Sequence, residues 1–198
     1  MKLSYGSLLL ALPFTALAAP SFDCTKASGA VEPLICEDAA LAKLDNQLNH
    51  LWPKAIKEMS EEDRKNEKAS QRGWIKGRND CWKADDVRAC VEQSYLTRIT
   101  ELQIMGGQVM VPSPVGYRCG DSQVVVYFYD ETALPSAVIN LDERGKDTQQ
   151  FFAFQTKTAS GAKYETTDLS LWVKGREARL TRFGQPDSQC RGFKASAE

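Results

Sequence analysis

Apolar residues recur every three or four positions through the first half of the chain and every second position through the second half. Leu41, Leu44, Leu48, Leu51, Ala55 and Met59 fall on one face of a helix at that spacing. Pro53 lies within the run and is expected to kink the helix or end its regular hydrogen bonding there. Ser60-Glu61-Glu62-Asp63 reads as the next start, a capping serine followed by acids in the electropositive first turn. That second helix carries Trp74 and Ile75 to about Cys81. Asp85 and Asp86 open a third, whose apolar face is Val87, Val91, Tyr95, Ile99 and Leu102.

The stretch from Gly106-Gly107 to Pro112-Ser113-Pro114 breaks the pattern and reads as a linker over 106–114. Beyond it the period becomes two. Short β-branched or aromatic runs at 117–119, 123–129, 136–141, 149–156, 162–165, 169–174, 177–181 and 188–191 are separated by turn residues. This is the pattern of a small antiparallel barrel or sandwich. The expected class is α+β with two domains: three helices over 22–105 and the strands over 115–193.

Residues 1–18 read as an export signal, with Lys2, a short apolar core from Ser7 to Leu17, and the small-x-small site Ala16-Leu17-Ala18. Cleavage is expected after Ala18. The first cysteine, Cys24, lies behind Ser21-Phe22-Asp23, so no lipid anchor is expected. No later stretch approaches the roughly 20 apolar residues of a membrane span. Loss of Lys2 moves the net charge from −1 to −2, and without a basic run no nucleic-acid partner is expected.

In an exported chain the six cysteines read as three disulfides. Cys119 and Cys190 fall in the first and last strands, where a bridge would join the ends of the β-domain. Cys24, Cys36, Cys81 and Cys90 allow three pairings. Antiparallel packing of the first two helices favours Cys36–Cys81, leaving Cys24–Cys90. There is no CxxC pair and His50 is the only histidine, so neither a metal nor a cofactor is expected.

Catalytic constellations are missing. There is no G-x-S-x-G elbow, a Ser-His-Asp triad would need the mid-helix His50, and the acid pairs sit where helix starts want negative charge. The expectation is a protein that is not an enzyme. The rim of the β-domain offers different chemistry. Strands 162–165 and 169–174 run out and back, which returns Ser160 and Lys174 to one end of the domain. Gly161 and Gly175 follow them directly and permit tight, protruding turns. The pattern alone reads first as two ordinary, solvated hairpin turns.

Ser-Gly-x-x-Tyr at 160–164, followed by Trp-x-Lys-Gly-x-x-Ala-x-Leu at 172–180, resembles the periplasmic and membrane-bound inhibitors of c-type lysozyme (the MliC/PliC family). The likeness covers nearly all of 115–193. It implies a flattened eight-stranded antiparallel barrel, c-type lysozyme as the partner and a periplasmic location. It implies that Ser160 and Lys174 enter the lysozyme cleft and contact its catalytic carboxylates, with Tyr164 supporting the loop. Val173 departs from the threonine or serine usual before the lysine. Phe22-Asp23-Cys24, Glu32-x-x-Ile35-Cys36, Leu44-Asp45 and Gln71-Arg72-x-Trp74-Ile75-x-x-Arg78-Asn79-Asp80-Cys81, continued by Cys90, Tyr95, Arg98-Ile99 and Leu102, resemble the LprI-type domain of exported bacterial proteins. That likeness implies a disulfide-stapled support or a second inhibitory surface. The alternative for the whole chain is a non-inhibitory periplasmic module that binds peptidoglycan fragments or an envelope protein, with Trp172 and Tyr129 as stacking platforms.

Overall fold

A computed structural model describes residues 19–195; the expected export signal at 1–18 lies outside the described residues. Among the described residues the amino-terminal half contains four α-helices rather than three: α1 (Val31–Glu37), α2 (Ala39–Ala55), α3 (Glu61–Asn79) and α4 (Val87–Met105). The unforeseen α1 is seven residues long, too short for a periodic signature, and carries Pro33 in its first turn, where proline is tolerated. It buries Val31 and Ile35, one turn apart.

The other three helices start where capping chemistry puts them. Asp38 accepts from the amides of Ala40 and Leu41, Ser60 from Asp63, and Asp86 from Ala89. Pro53 does not interrupt α2, which runs two residues further and then stops, leaving Met59 beyond its end. Leu41, Leu48, Leu51 and Ala55 of α2 meet Val91, Tyr95, Ile99 and Leu102 of α4 in one apolar core.

That packing corrects the expected disulfides. The bonds are Cys24–Cys36 and Cys81–Cys90, not Cys36–Cys81 and Cys24–Cys90. The long partner of α2 is α4, whereas α3 packs on α4 and α1. Cys36 lies in the last turn of α1 rather than opening the long helix, and α2 and α3 do not pack along their length as the expected hairpin would require. Each bond instead closes a local loop, with sequence separations of 12 and 9.

Polar residues of the LprI-like motif converge inside this half. Arg78 is buried and donates to the Tyr95 hydroxyl at 2.7 Å, which donates to Asp45 at 2.8 Å. Glu32 lies 4.0 Å from the same guanidinium, which also sits 5.4 Å from the Trp74 ring centre. Burial, above all, pushes the Tyr95 phenol well above its ordinary pKa, so it stays a donor to Asp45. The motif thus bolts α1 to α4 together.

The carboxy-terminal half is a closed antiparallel barrel of β1 (Val115–Cys119), β2 (Ser122–Tyr129), β3 (Ser136–Glu143), β4 (Gln149–Thr156), β5 (Ala162–Glu165), β6 (Leu169–Lys174), β7 (Glu177–Arg182) and β8 (Ser188–Phe193). Each strand pairs with its chain neighbours, and β1 pairs with β8. Cys119 lies opposite Cys190 in that last ladder and is bonded to it. Val124, Val126, Ile139, Leu141, Leu171 and Leu180 fill the interior. The loop after β2 docks on α4: the amides of Ala133 and Leu134 donate to the Gln103 side chain and the Thr100 hydroxyl, each at 2.9 Å.

The two kinds of staple differ in reach. Replacing Cys119 and Cys190 by alanine is expected to cost about 4 kcal/mol, against about 2.5 kcal/mol for Cys81 and Cys90, because the first pair closes a far longer loop. Asp45→Ala, which leaves the buried Tyr95 hydroxyl without its acceptor and removes one of the two carboxylates beside Arg78, is expected to cost about 3–5 kcal/mol. Denaturant melts of the oxidised proteins measure all three.

Candidate functional site

Lys174 ends β6 and is joined to β7 by a two-residue hairpin. Lys174 pairs with Glu177 across Gly175-Arg176, and Gly175 has φ +60°. A positive φ at the first central position and not at the second is the type II′ pattern, which matches strand twist. The Arg176 carbonyl accepts from the Gly192 amide at 2.7 Å, so β8 holds the turn in place.

Ser160 stands on the neighbouring turn, which leads into β5. Ala162 pairs with Val173, so the next residue back, Gly161, runs beside Lys174. Gly161 has φ +71°, and a Cβ there would collide with the Val173 carbonyl oxygen and lie 3.3 Å from the Lys174 Cβ. Only glycine fits, both for its backbone angle and for this close approach. The structure therefore brings Ser160 and Lys174 to adjacent exposed turns at one end of the barrel, where the strand spacing puts them.

The two turns are also cross-braced. The indole N–H of Trp172 donates to the Ser160 carbonyl at 2.8 Å, and the Thr158 hydroxyl donates to the same oxygen at 3.4 Å. The residue pattern offers Trp172 only as a stacking platform. Its spacing from Lys174, two positions along one strand, was the available signal that both share the outer face. Among the described residues the Ser160 hydroxyl and the Lys174 ammonium make no hydrogen bond or ion pair within the chain. Both inward neighbours are structural. Tyr164 is buried, its ring 5.0 Å from Phe128, and burial raises its phenol pKa. Val173 packs against the barrel core.

Other candidates resolve differently. Tyr129 is only 7 % exposed, so it offers no stacking face to a ligand. His50 is exposed on α2 beside Lys54. Among the described residues no group of three His, Cys, Asp or Glu side chains is placed to hold a metal ion.

Residues 117–189 match the family described as membrane-bound lysozyme-inhibitor of c-type lysozyme, and residues 24–103 match the family described as lysozyme inhibitor LprI. Proteins named "Lipoprotein LprI" from Mycobacterium bovis and Mycobacterium tuberculosis are each 30 % identical over 169 residues, covering 84 % of this chain and 82 % of theirs. The chain belongs to the LprI family. Both resemblances read from the motifs hold, in the order read. In this LprI-family chain the helical motif residues Glu32, Asp45, Arg78 and Tyr95 are spent on internal bonds, while the barrel motif presents its hydroxyl and ammonium outward.

The glycines of the two turns are not equivalent. Gly175→Ala meets open space and bears only the backbone strain of a positive φ, about 1–2 kcal/mol. Gly161→Ala adds a backbone collision and is expected to cost more and to displace the Ser160 turn. Chemical denaturation, with amide shifts at Ser160 and Lys174, separates the two effects.

Proposed function

We propose that this LprI-family protein is an exported, non-catalytic inhibitor of c-type lysozyme that inserts Lys174 and Ser160 between the catalytic carboxylates of the muramidase. The observation that carries this reading is the pair of adjacent turns, braced by Trp172 and Gly161, whose ammonium and hydroxyl have no partner in the described chain. A retaining glycosidase holds its two carboxyl groups about 5 Å apart, one of them protonated as the general acid. An ammonium between them offers three donors and favours the ionised form of both. The acid loses its proton and the cleft is filled.

The surroundings of Lys174 suit an acidic cleft. Its exposed cross-strand row continues through Glu177 to Arg191 and Arg118, three cations to one carboxylate. Such a rim steers the tip toward negative charge, and the attraction weakens as salt screens it.

Export without a lipid anchor belongs to the same reading, although the mycobacterial relatives carry the name lipoprotein. Cys24, the first cysteine, is bonded to Cys36, and a sulfur in a disulfide has no valence left for a lipid thioether. Residues 22–105 then act as a stapled support for an inhibitory unit at 115–193.

Hydrolysis of bacterial cell walls by a c-type lysozyme, with and without the purified mature protein, tests the proposal. Lys174→Ala and Ser160→Ala are each expected to weaken inhibition at least about tenfold without lowering the melting temperature. Trp172→Phe, which keeps an aromatic ring but loses the brace to Ser160, is expected to weaken it less. Full inhibition by both alanine variants excludes insertion.

A further inference from the structure

The outer wall of β5, β6 and β7 forms a cleft of about 590 Å³, within the size range of small-ligand sites. Trp172 lies across its middle, with Lys163 opposite it on β5 and Arg179 opposite it on β7. Phe183, 86 % exposed, stands at the β7 end. From these residues we infer that the cleft binds a neutral oligosaccharide, with sugar rings laid on Trp172 and Phe183 and their hydroxyls held by Arg179, Asp168 and Asp187.

Charge argues for that ligand class. Three cations, Lys163, Arg179 and Arg182, line the cleft with three carboxylates, Glu165, Asp168 and Asp187, so no strong field of one sign selects a polyanion or polycation. Lys163 is bound to Glu165, and Arg182 donates to Glu143 at 2.8 Å. Among the described residues the side chains of Arg179, Asp168 and Asp187 have no such partner. What remains is one planar fork of donors and two acceptors beside aromatic surface. A sugar hydroxyl is both donor and acceptor, and the C–H face of a pyranose ring is apolar, so one ligand satisfies both kinds of group. An apolar peptide laid on Trp172 would strip water from those charges without replacing it.

The walls are fixed before any ligand arrives. Trp172 is tethered through its N–H to the Ser160 carbonyl, which leaves the ring rather than its polar edge for contact. The Thr166 hydroxyl accepts from the amides of Asp168 and Leu169 at 3.2 and 3.0 Å, and the Phe183 amide donates to the Asp168 carbonyl at 2.9 Å. A site built on strands and tied turns loses little entropy on binding. It does not depend on the inhibitory reading, since Lys174 is not part of the cleft.

The test is titration of the full mature protein, without lysozyme, with tetra-N-acetylchitotetraose, followed by calorimetry and by the indole N–H resonance of Trp172. Saturable binding with a shift of that resonance is expected. Phe183→Ser and Arg179→Ala, both exposed and remote from the fold's cores, are each expected to weaken binding at least about threefold. Trp172→Ala is expected to weaken it about tenfold or more, and Lys174→Ala to leave it unchanged within about twofold. Absence of saturable binding overturns the inference, and so does binding that Phe183→Ser and Arg179→Ala leave intact.

Discussion

Closure of the barrel between β1 and β8 is the constraint on which the rest of the β half depends. β5 has only four residues and pairs on both sides, so an open sheet would leave exposed edges elsewhere and little to hold so short a strand. The Cys119–Cys190 bond lies within the closing ladder, and the same strand continues to Gly192, whose amide holds the Arg176 carbonyl. The last strand therefore closes the sheet and fixes the turn beside Lys174 in one stretch of backbone. Position at the candidate rim is inherited from closure at the chain ends.

Much of this was legible in residue patterns because it is local. The bounds of β4, β5 and β6 follow from alternation interrupted by Ser160-Gly161 and Thr166-Thr167-Asp168, and α3 and α4 begin behind the capping residues Ser60 and Asp86. The disulfides of the helical half were not legible. Their pairing depends on which helices touch, and α2 chooses α4 through the matched apolar rows at Leu41–Ala55 and Val91–Leu102. No periodicity reports that choice. The seven-residue α1 escaped for a related reason: with two buried positions it has no pattern to read.

The site divided along the same line. Ser160 and Lys174 were placed by counting residues across one hairpin, which strand geometry makes reliable. The role of Trp172 was hidden, since a tryptophan at alternating spacing looks the same whether it stacks, packs or braces a neighbouring turn. The helical motif is legible as a pattern, but its role is not. Glu32, Asp45, Arg78 and Tyr95 are dispersed over 64 positions of sequence and meet only when four helices enclose them. A buried ion network of this kind is weak evidence for extra stability but defines one arrangement of helices, since any other leaves a charge without a partner.

Val173 shows how the fold separates shape from chemistry at the rim. The MliC-like pattern carries a hydroxyl there, yet in this chain the side chain points into the barrel core and contributes apolar packing. What position 173 supplies to the site is its carbonyl, against which Gly161 lies with no room for a Cβ. That backbone contact, with the Trp172 brace, brings the Ser160 turn onto the Lys174 turn without help from the side chain at 173. The exposed ammonium of Lys174, the next residue, is solvated and has no partner among the described residues, which costs little in water. Under the proposed insertion, its desolvation is incurred only where two carboxylates replace the lost water. For the proposed insertion to be favourable, charge-assisted bonds to both carboxylates must outweigh that desolvation, which demands close, well-aligned geometry.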